Sequence, residues 1–168
     1  MIMTKDEAQY KLAALCSVSE YCLSDIRKKL VKWEIESQDS EAIIAYLLKE
    51  KFVDESRYVR AFALDKMRFS KWGKNKVAFS LRGKMIPDTV CKPILDEIFN
   101  DSEDYAEGMQ QVLQAKFRTL KYKNRYDAKT KLLRFGAGRG FEMSLMLPVI
   151  DKIVAGVDGS DEDPDGEW

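Results

Sequence analysis

The sequence predicts an all-α protein of three tandem three-helix repeats, stacked into an elongated, curved array. The pattern Asp-x-x-x-Tyr occurs three times, at spacings of 48 and 47 residues, and a repeat of this period typically marks a repeat architecture. Apolar residues recur at helical spacing without an alternating strand pattern. One such unit buries too little apolar surface alone, so neighbours stack. The predicted boundaries are 1–53, 54–100 and 101–155 for the repeats and 156–168 for a disordered acidic tail.

Each repeat is predicted to begin with a capped helix. Asp6, Asp54 and Asp101 hold equivalent positions, and an aspartate N-cap accepts hydrogen bonds from amides of the first turn. The acids that follow suit the positive end of the helix dipole.

The second helices share an i, i+4 apolar pair. The pairs are Ile26 and Leu30, Val77 and Leu81, and Leu132 and Gly136. Ser24 is the expected cap of the first of these helices, and Asp127 lies near the start of the last. Gly136 has no side chain to pack, and glycine inside a helix costs about 1 kcal/mol relative to alanine. We therefore expect a thin core or a frayed helix there.

Turns and third helices also repeat. Glu34, Met85 and Gly140 occupy the position after the second helix where a left-handed residue ends a helix, and only the third is glycine. Glu34 and Met85 must therefore adopt positive φ or close the turn differently. Third helices are predicted from Ser40, Asp88 and Phe141, with Pro93 and Pro148 at equivalent positions, each expected to kink or open its helix.

Composition narrows the class of protein. The formal net charge is zero, but residues 158–168 hold six acids and no base, which leaves residues 1–157 with 28 bases and 22 acids. Three cysteines match no zinc or redox spacing and favour buried thiols in a reducing compartment. The sequence shows no signal peptide and no apolar run long enough to cross a membrane. We expect a cytoplasmic protein without a membrane contact.

The sequence offers little for catalysis or for a cofactor. It contains no histidine, and the acids that acid–base or metal chemistry would use lie at helix starts and in the tail. The glycines at 136–140 lack the spacing and the preceding strand of a phosphate-binding loop, which favours a helix end and a turn. We predict a non-enzyme with no catalytic residue, metal site or cofactor.

Basic residues concentrate in the second and third repeats. Seven bases and no acid lie between Lys66 and Lys84, and nine bases and one acid lie between Lys116 and Arg139. Equivalent positions in stacked repeats form a continuous surface that suits a phosphate backbone or an acidic protein groove. The residues predicted to contact such an anionic surface are Lys71, Lys74, Lys76, Arg82, Lys84, Lys121, Lys123, Arg125, Lys129 and Lys131.

Two features allow two interpretations each. Trp72, Tyr122 and Tyr126 interleave with bases, as on nucleic-acid surfaces, or they pack between helices while the lysines only solvate a face. The acidic tail is a solubilising terminus, or it folds over the basic surface and competes with an anionic partner. The sequence favours binding for the first feature and solubility for the second.

The segment FVDESRYVRAF from Phe52, followed by KWGKNKVAFSLRGKMI from Lys71, resembles the RecX regulatory proteins. With the flanking copies, the resemblance covers about residues 6–155. It implies a bent array of helical repeats that binds the RecA recombinase filament on DNA and limits its ATPase, strand-exchange and coprotease activities. We expect the chain to act as a monomer. Such proteins usually carry glycine at the place of Met85 and leucine at the place of Gly136.

Other functions remain open on the residues alone. Three-helix units resemble helix-turn-helix modules, so a stand-alone protein that binds single- or double-stranded DNA is the alternative hypothesis. A helical adaptor for other proteins is a third, and it predicts neither DNA nor RecA binding.

Overall fold

The computed structural model describes residues 3–159, which form nine helices and no strand. The predicted all-α class is therefore confirmed for this part of the chain. The helices are α1 (Lys5–Val18), α2 (Leu23–Lys32), α3 (Ser37–Lys49), α4 (Glu55–Arg68), α5 (Lys74–Gly83), α6 (Asp88–Phe99), α7 (Glu103–Thr119), α8 (Arg125–Gly138) and α9 (Met143–Ile153).

The described chain divides into two compact units. The first unit joins the residues up to Ala63 to Ser80–Ile98, and the second joins Leu64–Phe79 to the residues from Phe99 onward. Helices α4, α5 and α6 each begin in one unit and end in the other. The boundaries 1–53, 54–100 and 101–155, and the stacking of three repeats, stay predictions.

The helix caps differ in part from those expected. Asp54 does cap α4, because its Oδ1 accepts from the amide of Arg57 at 3.1 Å. The cap of α1 is Thr4 rather than Asp6, and that of α7 is Ser102 rather than Asp101. Serine and threonine compete with aspartate for this role, and the residue with extended backbone before the first turn takes it.

Two of the second helices, α2 and α8, also begin earlier than expected. Helix α2 starts at Leu23 after Cys22, which makes no capping hydrogen bond through its side chain, so Ser24 is not the cap. In α8 the side chain of Asn124 accepts from the amide of Asp127 at 2.9 Å. Asn124 is therefore the cap, and Asp127 lies in the first turn.

All three second helices end in the same hydrogen-bonded turn. The amides of Ile35, Ile86 and Phe141 donate to the carbonyls of Leu30, Leu81 and Gly136, at 3.1, 3.4 and 3.0 Å respectively. The residue before each donor has positive φ: 57° at Glu34, 61° at Met85 and 94° at Gly140. This is the glycine-type helix ending. Glu34 and Met85 therefore adopt positive φ without being glycine, which is one of the two expected outcomes.

Apolar side chains of α1, α2 and α3 form a continuous core in the first unit. Its largest fully buried members come from the predicted stripe of α2, Ile26 and Leu30, and from Leu12, Ile43 and Leu47. Burial of each such side chain contributes about 1.5–3 kcal/mol. Helix α2 is therefore fixed in register by its i, i+4 apolar pair.

The core around Gly136 is neither thin nor frayed, so that expectation is wrong. Helix α8 continues through Gly136 to Gly138. A Cβ added at Gly136 would collide with the sulfur of Met146 and lie 3.3 Å from Leu113 Cδ2. The Met146 side chain, which is fully buried, thus fills the space that leucine would occupy. A flexible methionine suits such an irregular gap.

Both predicted prolines lie inside third helices at the same position. Pro93 is the sixth residue of α6, and Pro148 is the sixth residue of α9. Helix α6 begins at Asp88 as predicted, whereas α3 begins at Ser37 rather than Ser40 and α9 at Met143 rather than Phe141. Each helix is continuous across its proline, so neither opens at that point.

The chain beyond α9 is partly held. Arg125 donates from its backbone amide to the carbonyl of Asp158 at 3.0 Å, and from Nε to the carbonyl of Val157 at 3.0 Å. Val157 and Asp158 are therefore held against the start of α8, and the tail boundary at residue 156 stays a prediction. The remaining predicted tail, 160–168, lies outside the described residues.

Candidate anion-binding surface

The connection between α4 and α5 packs closely against the turn between α8 and α9. The amide of Gly73 donates to the carbonyl of Arg139 at 2.7 Å, and the amide of Asn75 donates to the carbonyl of Gly140 at 2.9 Å. A Cβ on Gly73 would collide with the backbone of Gly140. Glycine is therefore required for this approach, and the glycines at 136–140 serve a helix end and a turn, as predicted.

Arg139 fixes the same junction through its side chain. Its guanidinium donates to the carbonyl of Ser70 at 2.6 Å and to that of Lys71 at 3.2 Å. The backbone at Lys71 has a φ of 56°, a left-handed conformation. Arg139 thus satisfies carbonyls at the end of α4 rather than presenting its charge to solvent.

Three predicted residues lie around the start of α5. Lys71 lines a cleft of about 300 Å³ that it shares with the acids Asp104 and Glu107. Lys74 donates from Nζ to Asn100 Oδ1 at 3.0 Å. Lys76 Nζ lies 4.4 Å from the ring centroid of Trp72, a cation–π contact. All three are half-buried, and the ammonium groups of Lys74 and Lys76 make contacts within the fold.

Arg82 and Lys84 belong to the first unit, and both form ion pairs there. Arg82 Nε lies 3.2 Å from Asp88 Oδ1 on a strongly exposed surface. Lys84 Nζ lies 2.8 Å from Asp25 Oδ1, and this pair is mostly shielded from solvent. Burial raises the pKa of Asp25, but the hydrogen bond and charge of Lys84, together with hydrogen bonds from Cys22, outweigh it, and the net pKa is lowered. The Asp25 hydrogen bond in turn raises the pKa of Lys84.

Lys129 and Lys131 on α8 are paired as well. Lys129 Nζ lies 2.8 Å from Asp151 Oδ1, and only 18% of the Lys129 side chain is exposed. Lys131 Nζ lies 3.1 Å from Asp127 Oδ2 and donates to the carbonyl of Lys121 at 2.8 Å. Lys129 therefore links α8 to α9, and Lys131 links α8 to the turn that precedes it.

The turn between α7 and α8 carries the predicted bases that are best exposed in the second unit. We call residues 121–125 the basic turn. Lys121 and Lys123 are exposed, and the third base, Arg125, is half-buried. The amide of Lys123 donates to Asp127 Oδ2 at 3.0 Å. That hydrogen bond, with another from Lys131, holds the pKa of Asp127 below its usual value. The nearby carboxylate is thus engaged in fixing the turn.

The aromatic residues divide between packing and exposure. Trp72 is half-buried beside Lys66 and Lys76. Tyr122 stacks on Phe117 with a centroid separation of 5.4 Å, yet it stays exposed. Two further aromatic residues that were not predicted, Phe69 and Phe79, are 80% and 75% exposed. Phe79 lies midway between the buried Val77 and Leu81, and this offset from the apolar stripe is the signal that would have found it.

Within residues 3–159, no group of three or more histidine, cysteine, aspartate or glutamate side chains is arranged to hold a metal ion. In the same range every helix is too short or too polar to span a bilayer. The three cysteines are free and buried, as predicted.

Comparison with known proteins agrees with the sequence motifs. Residues 54–92 match the family description "RecX, second three-helix domain". The regulatory protein RecX of Clostridium acetobutylicum is 32% identical over 131 residues, which cover 77% of this chain and 60% of that protein. RecX of Chlorobium phaeobacteroides is 27% identical over 154 residues, covering 91% of this chain and 98% of that protein. The resemblance to the RecX regulatory proteins is confirmed.

Solved RecX structures share the fold. A crystal structure of regulatory protein RecX superposes with a TM-score of 0.75 at 20% identity, covering 87% of this chain and 74% of that one. RecX from Lactobacillus salivarius gives the same TM-score at 14% identity, covering 89% and 96%. The chain spans about 60% of the length of the Clostridium acetobutylicum and Clostridium beijerinckii RecX proteins.

Proposed function

We propose that this chain is a non-catalytic regulator that binds the RecA recombinase filament on DNA and mainly inhibits its ATPase, recombinase and coprotease activities. The observation that carries the proposal is the RecX match over residues 54–92, which contains the first basic segment. The name "regulatory protein" belongs to the relatives. Its extension to this chain, with RecA and DNA as partners and a monomer as the active form, is our inference.

The exposed bases support contact with an anionic surface. Lys121 and Lys123 are exposed in the basic turn, and Lys76 and Lys71 lie at the start of α5. Phosphate contacts by lysine and arginine supply most of the sequence-independent affinity for DNA. Exposed aromatic rings such as Tyr122 add stacking partners for bases of a single strand. We propose the basic turn as the principal contact among the ten predicted residues.

Inhibition requires preference for one filament state. A ligand shifts a conformational equilibrium only by its differential affinity for the two states. We propose that the helical repeats contact neighbouring RecA protomers and that the bases contact bound DNA or acidic filament surfaces. A chain bound in this way holds the filament in the state that hydrolyses ATP more slowly.

The test measures DNA-dependent ATP hydrolysis by RecA while the protein is added. The Lys121→Glu/Lys123→Glu variant should lose inhibition, because both side chains are exposed and neither substitution disturbs the core. Lys28→Glu/Lys32→Glu is the matched control, because it makes the same charge change at exposed positions of α2. Equal inhibition by the wild type and both variants would show that the basic turn is the wrong surface.

Charge reversal at Lys74, Lys129 and Lys131 requires an additional control for stability. Their reversal would break internal contacts at Asn100, Asp151 and Asp127. The unfolding midpoint of each variant must therefore match the wild type before a loss of inhibition is assigned to binding.

DNA-binding measurements on the wild-type protein without RecA distinguish the alternative functions. A stand-alone DNA-binding protein should bind duplex DNA tightly without RecA and weaken steeply with salt. A sequence-dependent footprint without RecA would favour that function. Binding to neither DNA nor the filament would favour a helical adaptor.

A further inference from the structure

The chain beyond α9 is fastened next to the basic turn. Arg125 donates hydrogen bonds to three backbone carbonyls of the segment 155–158. The acceptors are Ala155 at 3.3 Å, Val157 at 3.0 Å and Asp158 at 3.0 Å. Arg125 is itself the last residue of the basic turn. Its guanidinium therefore positions the following segment instead of facing solvent as a binding residue.

The segment that leaves this anchor is strongly acidic. Residues 160–168 hold five acids and no base: Asp161, Glu162, Asp163, Asp165 and Glu167. The basic turn holds two exposed bases, Lys121 and Lys123, and no acid. Opposite charges of this density attract at short range across water, and the attraction falls with salt.

Chain geometry brings the two within reach. Consecutive Cα atoms are about 3.8 Å apart, so Lys123 Cα lies within about 8 Å of Arg125 Cα and Lys121 Cα within about 15 Å. Nine residues extend at most about 30 Å. The acidic segment starts two residues after Asp158, which is bonded to Arg125, and can therefore cover both lysines.

We propose that the acidic segment 160–168 docks on the basic turn of its own chain and competes there with anionic partners. The neighbouring carboxylate of Asp127 is held by the Lys123 amide and by Lys131, which leaves the docking face to the exposed lysine side chains. A short tether gives an effective concentration in the millimolar range. For a site of millimolar intrinsic affinity, the segment should weaken binding of an external anion about two- to tenfold. The competition part rests on the proposed function, whereas docking itself does not.

The test uses residues 1–168 with the five acids of the segment 160–168 replaced by amides: Asp161→Asn, Glu162→Gln, Asp163→Asn, Asp165→Asn and Glu167→Gln. NMR amide shifts of residues 121–125 should differ between this variant and the wild type at low salt and converge at high salt. The differences should not depend on protein concentration. Unchanged shifts overturn the proposal, and shifts that grow with concentration show contact with a second copy instead.

Competition is measured with a fluorescently labelled single-stranded oligonucleotide. The amide variant should bind it about two- to tenfold more tightly than the wild type. That gain should vanish in the Lys121→Glu/Lys123→Glu background and persist in the Lys28→Glu/Lys32→Glu background. A gain that survives loss of the two lysines reflects net charge alone and overturns competition at the basic turn.

The two proposals fail in distinguishable ways. Loss of any effect on RecA ATP hydrolysis in both wild type and amide variant refutes the proposed function, while the NMR shifts still decide docking. Conversely, inhibition of RecA without shift differences at residues 121–125 refutes docking alone.

Discussion

Replacing Met85 by glycine should stabilise the protein, although it removes a large apolar side chain. Met85 ends α5 with a φ of 61° and is 81% exposed. A left-handed backbone costs about 1–2 kcal/mol for residues other than glycine. Glycine removes that cost but adds about 0.4–1 kcal/mol of entropy to the unfolded chain. We expect a net gain of about 0.5–1 kcal/mol.

The matched comparison is Met85→Ala. Alanine removes the same exposed side chain but keeps Cβ, so its stability should lie within about 0.5 kcal/mol of the wild type. The glycine variant should then exceed the alanine variant by about 1 kcal/mol. At Lys28, inside α2 and exposed, the order should reverse, because glycine there is about 1 kcal/mol worse than alanine.

Urea unfolding followed by circular dichroism at 222 nm measures these differences. A gain of about 1 kcal/mol should also raise the melting temperature by about 2–4 °C for a chain of this length. If Met85→Gly is no more stable than Met85→Ala, the left-handed turn carries no strain and the reasoning is refuted. The Glu34→Gly and Glu34→Ala pair provides a second trial at the equivalent turn, where φ is 57°.

Three further predictions concern the interior. Gly136→Ala should lower the free energy of unfolding by up to about 2 kcal/mol, because crowding of the Met146 sulfur by the new Cβ costs about 1–3 kcal/mol and the better helix propensity of alanine restores about 1 kcal/mol. Met146→Ala in the same chain should offset part of the crowding loss. Asp25→Asn should cost about 1 kcal/mol at pH 7, since its pair with Lys84 is only partly exposed. The pKa of Asp25 is lowered by folding, so this difference should shrink as pH falls below the carboxyl's unfolded pKa, measured by urea unfolding at pH 7 and pH 3. Native thiols should react with a disulfide reagent far more slowly than unfolded ones, because all three are buried: Cys16, Cys22 and Cys91.

Local features were predictable where one residue decides them. The apolar pair Ile26 and Leu30 shows in sequence spacing and is buried in the structure. Glu34 and Met85 were expected to adopt positive φ or to close their turns differently, because the following residue packs back on the helix. Caps were less predictable, since Thr4 and Ser102 lie within two residues of the aspartates expected to serve. Choosing among them depends on where the preceding chain turns.

The surface was predictable only as a concentration of charge. The sequence shows nine bases between Lys116 and Arg139, but it does not show which of them pair. Lys129 is half-buried and pairs with Asp151 at 2.8 Å, whereas Lys121 and Lys123 remain exposed. Whether these residues bind a filament stays a prediction for the experiments above.

By itself, the sequence determined the helical class, the recurring turns and the RecX resemblance, because each depends on residues a few positions apart. The tertiary structure decided which bases form contacts within the fold and which remain exposed. Lys84 meets Asp25 across 59 residues of sequence, and Arg139 meets the Ser70 carbonyl across 69. Such partners are chosen by packing between helices, and the same packing lets Met146 fill the gap at Gly136. The spacing of residues along the chain does not show which of them come into contact in the folded protein.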